Sequence, residues 1–486
     1  MNQFPLLILL VITIVISSCK KDISTTELQG YPDAIGEIII KKCATSGCHV
    51  ESSKAAAGGL ALETWEKLFE GGSAGSVVIP YSSEQSWLSY FINTFSDLGI
   101  SLSPTMPVNS DKLSYKEVEL LQQWINNGAP SASGQIAFTD DPNRNKFYVT
   151  NQGCDVVTVF DTKTKLAMRY IKVGNSENIE TPHNIKVSPD GKYWYVIFAN
   201  GNVIQKFNTT NDSYVGEIDI TQGSWNTFTI SNDGKFAFIV DFSNNGRIAY
   251  VDLENLDLLK IMTANSILFN LHGITASADF KKLYITNQYG NYIYKIDVSN
   301  ILLPEISTIV IVPGQTQSDV HDLYDPHEVA LSPDGTKYFV SCQASNEIRV
   351  FKQSNDSLIA AIPVGLYPLE LAFSKNNSYL FVSCENDISQ INFKGSVYVI
   401  DYNTFQVVKV LNERLFQPHG IAVDEKNNLL IIANRNSTPD GPAPHHTSSC
   451  GGRNGFIRLV DLSTFEFINN FTIEVSVDPY QVAVKN

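Results

Sequence analysis

Pro182-His-Asn-Ile-Lys-Val-Ser188-Pro-Asp-Gly191-Lys-Tyr-Trp-Tyr-Val reads as a strand, an Asp-Gly turn and a second strand. A third strand, Asn202-Val-Ile-Gln-Lys-Phe207, and a fourth follow it. The unit returns at Thr229-Ile-Ser-Asn-Asp-Gly-Lys235, Ile274-Thr-Ala-Ser-Ala-Asp279, Val329-Ala-Leu-Ser-Pro-Asp-Gly335, Leu371-Ala-Phe-Ser-Lys375 and Ile421-Ala-Val-Asp424. Such spacing is that of an array in which each unit buries its apolar faces against its neighbours. Seven four-stranded units fill 135–475, and one strand remains, Tyr480-Gln-Val-Ala-Val484. Paired beside the first unit, it would close a ring and remove the open edge.

The first copy carries Phe147-Tyr-Val-Thr-Asn151 and Val157-Thr-Val-Phe-Asp161. It resembles the YVTN-type β-propeller repeat, which implies an all-β seven-bladed propeller over 131–486.

His183, His272, His327 and His419 each stand five residues before the same turn position, Ser188, Ser277, Ser332 and Asp424. The chain has 8 histidines in all, so four in one slot are not a scatter. On the innermost strand that slot faces the axis, and Asn226, Leu369 and Tyr480 fill it in other units. Converging neutral imidazoles suit copper, zinc or haem iron. Structural histidines repeated through shared ancestry fit the same pattern. His445 and His446, in the Gly/Pro-rich insertion of the last unit, are candidates for a lid over the funnel, as is His321 in another loop. Cys154 and Cys450 lie in equivalent loops of the first and last units, where a disulfide would clasp the closed ring; four free thiols are the alternative. Cys342 and Cys384 share one register in consecutive units.

Ahead of this array the pattern changes. Cys43-Ala-Thr-Ser-Gly-Cys48-His49 sets two thiols before an imidazole, the arrangement that tethers haem c through its vinyl groups and delivers a proximal ligand. Four residues, rather than the common two, separate the cysteines. A Cys43–Cys48 disulfide with a surface histidine is the blander reading. Pro104-Thr105-Met106-Pro107 offers a thioether from a proline-stiffened loop. Ser114-Tyr-Lys-Glu117 has capping-box spacing and opens an amphipathic run, Val118, Leu120, Leu121, Trp124 and Ile125, that stops at Asn127-Gly128. In this order the features resemble the small class I cytochrome c domains over 31–130. The resemblance implies one covalent haem c on Cys43 and Cys48, with His49 and Met106 as axial ligands. The expected fold class is therefore multi-domain: a small all-α cytochrome c domain followed by an all-β seven-bladed propeller, joined by Gly128-Ala-Pro-Ser-Ala-Ser-Gly134.

Leu6–Ile16 is an apolar run too short to span a membrane and suited to a signal peptide over 1–18. It ends at Ile16-Ser17-Ser18-Cys19, which resembles a bacterial lipobox with Cys19 as the lipidated residue and 19–30 as a tether; ordinary cleavage of a periplasmic protein is the alternative. Either reading exports the chain, to the periplasm or, as a lipoprotein, to the outer membrane or cell surface. Export agrees with haem c, and the lipid would supply the membrane contact.

Net charge is −15, with 35 basic and 50 acidic residues spread over both parts. No basic cluster points to nucleic acid, whereas a basic redox partner would be steered favourably. No G-x-S-x-G or H-E-x-x-H motif is present, which leaves hydrolysis without support. The domain order is similar to that of periplasmic nitrite reductases, which join a cytochrome c domain to a propeller holding a second haem. The Pro-His slots and the His445-His446 pair look similar to the propeller of nitrous oxide reductase, although the Cys-rich copper domain of that enzyme is missing. Both resemblances imply an oxidoreductase with a second metal or haem in the funnel. An electron-transfer and binding protein whose propeller is only a recognition scaffold is the alternative.

Overall fold

The computed structural model describes residues 28–243, 245–264, 267–321, 323–388, 393–438, 441, 453–468 and 472–485. Lys146 to Lys485 supplies seven four-stranded antiparallel sheets, arranged as a seven-bladed β-propeller. Blades 2 to 7 are contiguous in sequence. Blade 1 takes its inner strand, Pro479–Lys485, from far downstream and pairs it with Lys146–Asn151, so the ring closes as the leftover strand implied. Apolar residues of neighbouring blades interlock between the sheets; Ile197 and Trp225 share one cluster with Ile239, and Tyr284 and Val329 share another with Val340.

The turn that marks the repeat has a side-chain cause. Ser188 Oγ donates to Asp190 Oδ1 (2.6 Å) and accepts from the Tyr193 N–H, which draws the hairpin tight. Ser231–Asp233, Ser277–Asp279 and Ser332–Asp334 repeat the bond. Gly191, Gly234 and Gly335 follow with positive φ, where a side chain would be strained. Hydroxyls on second strands then tie blade to blade: Thr286, Ser341 and Ser383 donate to the inner-strand carbonyls of His327, Leu369 and His419.

Residues 28–145 form a sparse helical segment rather than a dense bundle. Four helices, α1 (Asp33–Lys42), α2 (Trp65–Leu68), α3 (Trp87–Ile92) and α4 (Tyr115–Asn126), are linked by 3₁₀ turns and loops. The Ser114 N–H and hydroxyl both donate to the Glu117 carboxylate at the start of α4. Val118, Leu121, Trp124 and Ile125 of α4 pack with Ile35 and Ile39 of α1. Ala137 belongs to the same core, and the first propeller strand begins only at Lys146, so the expected linker at 128–134 is part of the helical segment's edge. No helix among the described residues is long and apolar enough to cross a membrane.

The helical segment lies against blades 1 and 7. Ser76 Oγ donates to the Ala167 carbonyl (2.8 Å) on the outer strand of blade 1, and Ile79 enters a core with Phe147, Ile457 and Ile473.

Candidate functional site

Two places gather the candidate residues. The first is a cavity of about 500 Å³ in the helical segment. Cys43, Cys48, His49 and Met106 all line it, together with apolar side chains including Leu60, Leu62, Val77, Leu88 and Ile92. Cys43 sits at the end of α1, where its N–H donates to the Ile39 carbonyl; its thiol is buried, and that burial pushes it up to about 11. Cys48 is an exposed free thiol. His49 turns Nδ1 toward the Leu60 carbonyl at 3.3 Å, which assigns the proton to Nδ1 and leaves Nε2 with its lone pair. Burial holds this imidazole below its ordinary value, hence neutral. Met106 is fastened by its N–H to the Phe91 carbonyl at the end of α3 (2.7 Å). Lys112 braces the same loop through the Thr105 and Pro107 carbonyls.

The donor set fits haem c: two thiols, a neutral imidazole with one nitrogen fixed by a carbonyl, a thioether and otherwise apolar walls. One wall belongs to the seam with the propeller. Gly72, Ala74, Gly75 and Val77 line the cavity, while Ile473 of blade 7 lies against Gly75. Trp87 lines it too, stacked on Phe91 at 5.5 Å, with the Arg453 guanidinium 5.3 Å from its ring centroid.

The second place is the propeller axis. His183, His272, His327 and His419 occupy the second position of the inner strands of blades 2, 4, 5 and 7, as expected, and Tyr480 holds that position in blade 1. Their rings form a closed circuit, with centroids 6.0 Å apart for His183–His272, 4.0 Å for His272–His327, 5.7 Å for His327–His419, 3.7 Å for His419–Tyr480 and 4.4 Å for His183–Tyr480. Nδ1 of His272 meets the His327 carbonyl (3.1 Å) and Nδ1 of His419 the Tyr480 carbonyl (3.2 Å), so both keep a free Nε2. His183 Nδ1 pairs with the Gln152 amide at 2.5 Å. Burial lowers all four imidazoles, His272 to about 4, so they are neutral. Arg435 stands above, 5.1 Å over Tyr480 and paired with Asp478 (2.7 Å) and Glu385 (3.3 Å).

The next position on these strands also faces the axis, which the sequence pattern did not reveal. It holds Glu328 in blade 5, Glu370 in blade 6, Gln481 in blade 1 and Asn184 in blade 2. Among the described residues, no group of three or more His, Cys, Asp and Glu is placed to hold a metal ion.

His321 lies on the funnel side, 2.9 Å from Asp325 and stacked on Tyr289. Cys154 is half of a disulfide, while Cys342 and Cys384 are buried free thiols. Cys19, His445, His446 and Cys450 lie outside the described residues.

No family model matches the chain. Antigen Lp49 of Leptospira interrogans is 24% identical over 293 residues, 60% of this chain and 44% of that protein. The chain thus spans less than half the length of that curated relative. A functionally unknown protein from Desulfotomaculum acetoxidans superposes with a TM-score of 0.54 at 15% identity, covering 70% of this chain and 98% of that one. Hydrazine synthase of Kuenenia stuttgartiensis gives 0.47 at 16% identity, over 65% of this chain and 92% of its own. The Desulfotomaculum likeness agrees in fold with what the strands establish directly, a seven-bladed β-propeller.

Proposed function

We propose that the chain is an exported electron-transfer protein whose segment 31–130 is a cytochrome c domain, carried beside the propeller of 131–486. The observation that carries this reading is that one apolar cavity is lined by Cys43, Cys48, His49 and Met106 together. Cys43 and Cys48 would form the thioether links, and His49 Nε2 and Met106 Sδ would face the iron. Haem c supplies a one-electron couple, and a His–Met pair favours its reduced form. The chain's own part is to keep that couple dry and oriented. Leu60 fixes the His49 tautomer through its carbonyl, Phe91 holds the Met106 loop, and the apolar lining excludes water. The acidic surface would steer a basic partner, and a lipid on Cys19 would keep the exchange at a membrane.

Expression in a host that matures cytochromes tests this. Haem retained through acid acetone in the wild type, and lost in the Cys43→Ser/Cys48→Ser double variant, supports it. A colourless product, or pigment that acid acetone extracts, ends it.

A second reading gives the propeller its own metal and makes the protein an oxidoreductase resembling nitrite or nitrous oxide reductases. It is favoured by the carbonyl contacts of His272 and His419, which fix Nδ1 and leave Nε2 available. Metal analysis separates the two: iron alone, one per chain, makes the propeller a recognition scaffold, whereas copper or a second iron makes it a redox centre.

A further inference from the structure

All seven inner strands break register with their neighbours just after they begin. A break of this kind re-aims side chains. Consecutive residues then point the same way. The His272 ring and the position of a Cβ on Gly273 both approach the His327 carbonyl, and His419 and Gly420 both approach that of Tyr480. The axis therefore carries two stacked layers, imidazoles in one and the following residues in the other.

We propose that the second layer binds a hard cation of the calcium class through the carboxylates of Glu328 and Glu370 and the amide oxygen of Asn184. Glu328 and Glu370 come from adjacent blades, 5 and 6, and in a seven-membered ring blade 2 stands opposite that pair. Asn184 is 3% exposed and its Oδ1 has no hydrogen-bond partner, an orphaned acceptor of the kind that buried groups rarely leave. Each carboxyl accepts one hydrogen bond, Glu328 from the Val329 N–H (2.9 Å) and Glu370 from the Gln481 amide (2.9 Å). Blades 4 and 7 have glycine in this layer, and Glu328 Oε1 and Gln481 Oε1 lie 2.7 and 2.9 Å from where those glycines would carry a Cβ.

Two carboxyls buried in adjacent blades hold protons or a cation. Oxygen ligands of this kind suit calcium rather than copper or zinc. This site is separate from the haem reading and stands whether or not that reading does.

The test is calorimetric titration of chelator-treated, full-length protein with calcium chloride. One calcium per chain is expected, in the ~0.1–1 mM range of extracellular modules. The Glu328→Gln/Glu370→Gln double variant should lose at least tenfold in affinity, and Asn184→Ala a few-fold, with unchanged far-UV circular dichroism. A folded wild type that takes up no calcium at ~10 mM, well above that range, overturns the proposal. So does undiminished affinity in both variants. If the double variant does not fold, Asn184→Ala decides alone.

Discussion

The Arg453 guanidinium of blade 7 lies 5.3 Å from the ring centroid of Trp87, and Trp87 is a wall of the cysteine-lined cavity. Arg453 is buried and donates to the Gln85 carbonyl just ahead of α3. One propeller side chain thus both fastens the helical segment and brings a positive charge toward the cavity. A positive charge disfavours the oxidised, more positive form of a redox centre. If the cavity holds haem c as proposed, Arg453→Gln is therefore expected to lower its midpoint potential by on the order of tens of millivolts, the size of effect a nearby charge has at an effective protein dielectric. Potentiometric titration of the matured protein checks it.

Met106 gives a larger change at the same cavity. With haem c held as proposed, Met106→Ala would remove the thioether and with it the preference for the reduced state. The potential should fall by on the order of 0.1 V, within the span that axial ligands command. Retention of the covalent pigment in this variant would show that attachment is intact and that only ligation has changed.

Acid should find the axial imidazoles. His272 is neutral in the folded ring with its value lowered to about 4, against 6.5 for the ordinary group. Between those pH values the unfolded chain binds a proton that the folded chain does not, so stability contributed by neutral His272 is present above 6.5 and lost as pH falls toward 4. The stability difference between wild type and His272→Gln should change by about 1.4 kcal/mol per pH unit in that window. Urea denaturation at several pH values reads it directly.

Lys146 and Asp212 form a buried ion pair at 2.7 Å across the seam of blades 1 and 2, with the Thr209 carbonyl and the Tyr148 hydroxyl completing it. Asp212→Ala leaves a buried ammonium without its carboxylate and should cost about 3–5 kcal/mol, whereas Lys146→Met/Asp212→Leu should recover most of that loss. The shift in urea midpoint measures both.

Much of this is legible in the sequence because local chemistry repeats. The Ser-x-Asp turn recurs, three times with glycine after the Asp and once with Phe280 there, and each turn fixes the strand before it, so the histidine slot could be counted back from Ser188, Ser277 and Ser332. Cys43, Cys48 and His49 fall within seven residues of one another, and Met106 stands out in a proline-flanked loop. Glu328, Glu370 and Asn184 were hidden by a local irregularity. Strict alternation would send the residue after each His or Leu369 to the other side of the sheet, and only the broken register turns it inward. The Arg453–Trp87 contact was hidden by distance along the chain, since no local pattern records how one folded part rests on another.

Pro479–Lys485 has a consequence for how the molecule comes to exist. The Thr150–Gln481 bonds join residues 331 positions apart, so the annulus cannot be latched until the strand at Pro479–Lys485 is available to pair with the first blade. Tyr480 and Gln481 arrive on that same latch, one for each storey of the axis. Until it docks, the interior stands open to water and protons; afterwards, a single segment both shuts the circle and finishes its centre.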